Sequence, residues 1–318
     1  MSEAVREISY LSKIDNTMQP AMFSPASGNE PRPLIVALHT WSYDHKQDSD
    51  NYFSRSMKRN WHCIFPKFRG PNWLPEACGS DLVVSDIVSA VDYVKANYPV
   101  DNDRIFLVGG SGGGHASLLL ASRHPEIWTA VSSWCPISDV AKWHSQCAAL
   151  TTENRVYAEH IRQACGGNPD VDKKAFDEAA KRSSITYLKS SAGKTIVDIG
   201  TGIHDGHTGS VPVSHTLEAF NELAAPGDQI SAEDIDFMVK NEAVPEHLKY
   251  TGEDPAYGER KVLFRRESGM ARVTIFEGGH DILAGPAFGF FEQQLRGKEP
   301  VWNSGDSADF RSGSTLGR

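Results

Sequence analysis

The segment Val108-Gly109-Gly110-Ser111-Gly112-Gly113 constrains this chain more than any other stretch. It follows an apolar, strand-like run from Arg104 to Val108 and opens a helix-like run from Ala116 to Ser122. A serine held on so sharp a strand-to-helix turn has strained backbone geometry, and the residues pressed against it must lack a Cβ. Gly109 and Gly113 hold the two fixed positions of the Gly-x-Ser-x-Gly pattern. The turn places Ser111 at a helix N-terminus, where free N–H groups and the helix dipole favour negative charge, so the Gly112 N–H is a natural donor to an oxyanion. A phosphate-binding P-loop is excluded because no lysine follows the glycines, and a Gly-x-Gly-x-x-Gly dinucleotide pattern appears only by sliding along them.

A serine on such a turn needs an acid and then a histidine downstream, each on a loop leaving the C-terminal end of a strand. Thr195 to Ile199 reads as a buried strand, and the loop beyond it carries Asp205, the expected acid. Ala271 to Phe276 reads as the next strand; Glu277-Gly-Gly-His280 follows, making His280 the expected base. A serine hydroxyl is a weak nucleophile, so an imidazole must take its proton during attack and return it to the leaving group, while the carboxylate fixes the imidazole tautomer. Asp198, inside the apolar strand, is a rival acid, as are Asp281 beside the base and His207 on the same loop as Asp205. His115 lies in the nucleophile's own turn and reads as a packing or capping residue. The second oxyanion donor is expected after the strand from Pro33 to His39, from the backbone N–H of Thr40 or Trp41, with His39 holding that loop.

Strand-like stretches near 33–39, 62–67, 104–109, 128–134, 195–200 and 271–276 alternate with helix-like ones near 47–59, 81–97, 113–123, 213–224 and 284–296. This alternation implies an α/β fold with a mainly parallel twisted sheet and helices on both faces. Ser80 reads as the N-cap of the helix at 81, and Pro125 ends the helix after Ser111. Residues 1–30 form an N-terminal edge segment whose stretch 5–24 offers one or two antiparallel strands. Residues 31–297 form the catalytic domain, and 298–318 a tail, polar and disorder-prone from Asn303. Two stretches interrupt the alternation. Residues 137–190 read as a cap over the site, and 225–268 as a second insertion whose Ser231-Ala-Glu-Asp234 is a capping box. Trp41, Trp73, Trp134 and Trp143 fall on or beside strand-end loops, where indoles line apolar pockets or stack on sugar faces; Trp134, ending an apolar strand, also reads as core.

The net charge of −9 argues against a nucleic-acid partner, and no run of about 18 apolar residues spans a bilayer. The N-terminal Met1-Ser-Glu-Ala-Val-Arg-Glu lacks the apolar core of a secretory signal, so a cytoplasmic location is expected. Five cysteines at irregular spacing fit reduced thiols better than a disulfide framework or zinc site, although Cys147 and Cys165 could pair within the cap. Arg69 is the nearest basic residue for an anionic substrate, with stabilisation of its own loop as the plainer role. The oligomeric state is left open.

Leu38-His-Thr-Trp41, Phe68-Arg-Gly70, the helix from Asp81 through Tyr93, Gly109 to Gly113, Arg182 to Tyr187, Asp205 with Val211-Pro212, and Gly279-His280 together resemble the α/β-hydrolase superfamily. The likeness is closer to its esterases and to the catalytic domain of the prolyl oligopeptidase family, and it covers roughly residues 30 to 297. These families usually carry Gly where this chain has Thr40, and a shorter gap between the acid and the Val-Pro pair. The resemblance implies an α/β-hydrolase fold with a cap and a serine hydrolase, most simply a carboxylesterase working through an acyl-enzyme without metal or organic cofactor. Its substrate is expected to be a small-molecule or carbohydrate ester with a short acyl group. A peptidase of the prolyl oligopeptidase type is the first alternative, although only about 30 residues precede the first core strand here. A non-catalytic binding protein on the same fold is the second.

Overall fold

The computed structural model describes residues 5–302; the polar tail expected from Asn303 lies outside the described residues. The strands are β1 (Arg6–Leu11), β2 (Met18–Ser24), β3 (Arg32–Leu38), β4 (His62–Pro66), β5 (Val100–Gly110), β6 (Ala130–Trp134), β7 (Ile196–Gly202), β8 (Val262–Ser268) and β9 (Ala271–Phe276). Strand β3 is apolar at every position from Leu34 to Leu38, a pattern suited to a strand covered on both faces. Leu34, Val36 and Leu38 enter one hydrophobic cluster while Ile35 and Ala37 enter another, so successive side chains feed opposite sides of the sheet.

All nine strands join one sheet in the order β1-β2-β4-β3-β5-β6-β7-β9-β8. The centre, from β4 to β9, is parallel. At one edge β2 pairs antiparallel with β4 and β1 with β2, the arrangement the N-terminal segment suggests. At the other edge β8 runs antiparallel to β9. The sequence reading placed β8 inside the second insertion, because Val-Leu-Phe-Arg-Arg-Glu-Ser breaks its apolar run with charge. An edge strand tolerates those charges because one side meets solvent.

The helices are α1 (Asp50–Lys58), α2 (Asp81–Asn97), α3 (Gly112–Arg123), α4 (Val140–Ala148), α5 (Val156–Cys165), α6 (Lys173–Arg182), α7 (Leu188–Ser191), α8 (Ser214–Leu223), α9 (Ala232–Asn241) and α10 (Ala284–Glu292). Helices α2, α3 and α8 cover the Leu34 face with Val83, Ile87, Leu119 and Phe220. Helices α1 and α10 cover the Ile35 face with Tyr52, Phe53, Phe288 and Phe291. Ser80 caps α2 by accepting the Val83 N–H, and Ser231 caps α9 by accepting that of Asp234. Helix α1 starts three residues later than expected and α10 stops four earlier, at Glu292.

Between β6 and β7, helices α4 to α6 bring Val140, Trp143, Ile161 and Ala179 into a third cluster, which also takes in Trp41 and Val211 from the site loops. The cap is therefore a small core of its own built onto the strand ends. Cys147 and Cys165 both lie in this cluster and are unpaired, so the disulfide considered for the cap does not form; all five cysteines are free and buried. Among the described residues no helix is long and apolar enough to cross a membrane.

Asp198 and Arg272 face each other across the β7–β9 register, joined at 2.7 Å with both side chains almost fully excluded from solvent. Burial by itself weakens the guanidinium's hold on its proton, and the adjacent carboxylate more than reverses this. Arg272 also donates to the Trp302 carbonyl and lies over the Phe290 and Trp302 rings. Removing one partner strands a charge in the core. Arg272→Ala is therefore expected to cost about 3–5 kcal/mol in urea unfolding, whereas the paired replacement Asp198→Leu with Arg272→Met recovers most of that loss.

Candidate active site

Parallel strands deliver their C-terminal loops to one edge of the sheet, and β3, β5, β6, β7 and β9 bring the site together there. At the end of β5, Ser111 adopts φ 55° and ψ −119°, a left-handed conformation rare for a side chain with a Cβ. Its N–H is held by the Trp134 carbonyl at 2.9 Å, and its own carbonyl accepts the His115 N–H. The two fixed glycines are forced by close approach: a Cβ on Gly109 would stand 2.3 Å from the Gly113 carbonyl oxygen, and one on Gly113 would stand 2.5 Å from that of Leu38.

The loop after β3 lies directly against this turn. A Cβ on Gly112 would fall 2.6 Å from the Trp41 backbone nitrogen, so the backbones of Trp41 and Gly112 lie against each other. Neither N–H group has a hydrogen-bond acceptor among the described residues. Asn72 pins the loop: its backbone N–H and its Nδ2 both donate to the Trp41 carbonyl, and its Oδ1 accepts the Cys78 N–H. The other expected donor, Thr40, is corrected by the structure, because its N–H is spent on Gln47 Oε1 at 2.8 Å. The His39 ring is stacked on Phe68 at 3.8 Å and touches the Thr40 and Lys67 carbonyls, the loop-holding role expected of it. Burial pulls its pKa down to about 4 and keeps the ring neutral.

Beyond β7, Asp205 is buried and its carboxylate is fully engaged. Oδ1 accepts the Gly206 and Val211 N–H groups, while Oδ2 accepts the Thr201 hydroxyl and faces His280 Nδ1 at 2.8 Å. The long gap between Asp205 and Val211 is taken up by a loop that folds back on the carboxylate. Gly209 sits so close that a Cβ there would lie 2.3 Å from Asp205 Oδ1 and 2.6 Å from His280 Cβ. Burial by itself disfavours a charged His280, and the Asp205 carboxylate more than reverses this, raising the imidazole pKa well above its ordinary value. Ser111 and the His280 ring both stay largely covered, at 8% and 23% exposure.

The rivals are occupied elsewhere. Asp198 is bound to Arg272, and Asp281 pairs with Arg260 at 2.6 Å while accepting the Gly279 N–H. His207 Nε2 lies against the Val239 carbonyl, and His115 packs beneath the elbow against the Ile137 carbonyl, its pKa pulled to about 4 by burial. Arg69 ties Asp86 to Asp15 and so stabilises its own loop.

Of the four indoles singled out for the site, three are buried. Trp134 is a core residue: its ring packs near Tyr257 and Phe276, and its Nε1 donates to Ser132 Oγ. Trp41 and Trp143 are also buried, edge to face at 4.8 Å beneath the cap, with Tyr157 stacked on Trp143 at 5.0 Å. Trp143 Nε1 donates to the Ser210 carbonyl, and Trp41 Nε1 to His160 Nδ1 at 3.3 Å. Trp73 alone of the four is half-buried, 4.8 Å from the His160 ring. The sequence reading missed Asn72, His160 and Cys135. Cys135 follows β6 directly, and that strand-end position was the available signal.

Known proteins can now be set beside this geometry. The sequence profile of the prolyl oligopeptidase family matches residues 79–254, more than half of the 318-residue chain. The chain belongs to the prolyl oligopeptidase family. A 44-residue stretch is 43% identical to S-formylglutathione hydrolase of Rattus norvegicus, covering 14% of this chain and 16% of that protein. This family member is also similar in fold to the acylaminoacyl peptidase of Pyrococcus horikoshii, at TM-score 0.62 and 14% identity over 94% of this chain and 43% of that one. Oligopeptidase B of Leishmania major gives TM-score 0.58 and 13% identity over 91% and 34%. The chain thus spans less than half the length of each relative.

Two outcomes test the assembled site. Gly112→Ala, whose Cβ would displace the Trp41 N–H, is expected to lower kcat by about 10²–10³, the usual cost of losing one oxyanion donor, with circular dichroism checking that the fold survives. If His280 serves as the base proposed below, only its neutral form works, so kcat/KM should rise with pH through a midpoint above the ordinary imidazole value of about 6.5. In Asp205→Asn burial is unopposed, so the midpoint should fall and the plateau drop, whereas folded Asp198→Asn should keep far more activity than Asp205→Asn.

Proposed function

We propose that this chain is a serine hydrolase that cleaves carboxylic esters through an acyl-enzyme intermediate. The observation that carries the reading is the Asp205–His280 contact at 2.8 Å, at the same sheet edge where β5 ends in a serine held in left-handed geometry. Ser111 Oγ attacks the acyl carbon while His280 takes its proton, and the Trp41 and Gly112 N–H groups receive the developing oxyanion. His280 then returns the proton to the departing alkoxide. Water repeats the sequence to release the acid, with Asp205 holding the ring and balancing the imidazolium throughout.

A short acyl group fits best, because the cap packs Trp41, Trp143 and Tyr157 tightly beside a nearly buried serine. The half-buried Trp73 beside His160 offers a face for an alcohol portion such as a sugar. Similarity to a protein named S-formylglutathione hydrolase supports action on a small molecule. Peptidase action is the second reading, favoured by the fold shared with an acylaminoacyl peptidase over 94% of this chain.

Hydrolysis of p-nitrophenyl esters from acetate to longer chains, with an acetylated sugar and an aminoacyl p-nitroanilide alongside, separates the two readings. The expected result is turnover fastest on the shortest ester and absent in Ser111→Ala with the fold intact. Preferred cleavage of the anilide would replace the esterase reading by the peptidase one, and ester turnover that survives Ser111→Ala would remove Ser111 from the mechanism.

A further inference from the structure

Next to the Asp205–His280 pair lies a thiol that the proposed chemistry does not use. Cys135 follows β6 with its backbone in the left-handed region at φ 46°, its N–H held by the Gly200 carbonyl at 2.8 Å. The Cys135 Sγ, an Asp205 carboxylate oxygen and a His280 ring nitrogen lie within 4.8 Å of one another. Thr201 Oγ1 lies between them, 3.5 Å from Sγ and 3.1 Å from Asp205 Oδ2, and Sγ is 3.3 Å from the Asp281 carbonyl. Sulfur, imidazole nitrogen and carboxylate oxygen from three separate strand-end loops are the donor set of a borderline-soft divalent ion.

We infer that Cys135, Asp205 and His280 form an inhibitory site for a thiophilic divalent cation of the Zn²⁺ class, which competes with the catalytic use of the same histidine. The inference rests on the reading of Asp205 and His280 as acid and base. Ligand atoms on a tetrahedral Zn²⁺ stand about 3.5 Å apart, so the ion seats after side-chain adjustments of about 1 Å. The atom of His280 facing Asp205 is Nδ1, and this is the nitrogen the ion takes. The Cys135 thiol releases its proton to solvent. The Nδ1 proton also leaves while Nε2 gains one, so the ring stays neutral and one proton is released overall for each ion bound. With Nε2 protonated and Nδ1 on the metal, His280 has no lone pair for the Ser111 proton.

The test uses Cd²⁺, whose bond to a thiolate gives an ultraviolet charge-transfer absorption, on the full chain carrying Ser111→Ala. A saturable absorption is expected there and its loss when Cys135→Ser is added. In parallel, wild-type hydrolysis of p-nitrophenyl acetate should fall with Zn²⁺ and return with EDTA. Cys135→Ser, scaled to its own EDTA-treated rate, should need at least about tenfold more Zn²⁺ for the same fractional inhibition. If circular dichroism shows Cys135→Ser unfolded, Cys135→Ala replaces it in both arms. No absorption at saturating Cd²⁺, absorption that persists without the thiol, or equal Zn²⁺ sensitivity of the two proteins would overturn the site. The absorption needs no turnover. An inactive wild type that gives it would reject the esterase reading and leave the metal site standing, and an active one that lacks it would do the reverse.

Discussion

The strained turn at Ser111 is the constraint on which the rest of the site depends. A residue with a Cβ keeps φ near +55° only when its surroundings leave no alternative. Here the Ser111 N–H is tied to Trp134 on β6, while Gly109 and Gly113 close against each other and against the Leu38 carbonyl on β3. Three central strands therefore enforce the turn together. Because β5 lies in the middle of the sheet and both faces are packed, strain at its end is opposed by two hydrophobic cores rather than by one local contact.

Once the serine is fixed there, the other groups are placed by parallel topology. Strands β3, β7 and β9 end at the same edge, and each contributes a loop drawn in by close backbone approach. Gly202 packs on the carbonyls of Gly278 and Gly279, Gly209 packs on Asp205, and Gly112 packs on Trp41. Asp205 is held by four donors, a degree of satisfaction that lets a carboxylate stay buried beside an imidazole. The cap then adds its own apolar cluster over these loops and hydrogen-bonds to them through Trp143 and Asn154. This makes the cap part of the site's wall.

The neighbouring titratable groups divide by environment. His39 and His115 are buried without a carboxylate partner and are held neutral. His280 is buried with one and is pushed the other way. The Cys135 thiol beside it is raised, chiefly by burial. The same sheet edge therefore concentrates an imidazole, a carboxylate and a thiol.

The sequence alone determined the architecture and pointed to a candidate triplet, because both rest on local signals. Period and alternation are set by which residues can cover a strand or a helix face, and Gly109, Ser111 and Gly113 are dictated by steric exclusion within one turn. The order of Ser111, Asp205 and His280 after the strands β5, β7 and β9 was legible for the same reason. Tertiary structure decided what depends on long-range partners. It engaged Asp198 with Arg272 and the Thr40 N–H with Gln47, leaving Asp205 and Trp41 as the candidates available at the site. It buried Trp41 and Trp143, made β8 an edge strand despite its charges, and set Cys135 beside Asp205 and His280. None of these could be read along the chain, since a side chain's role there is fixed by what packs against it from elsewhere in the sequence.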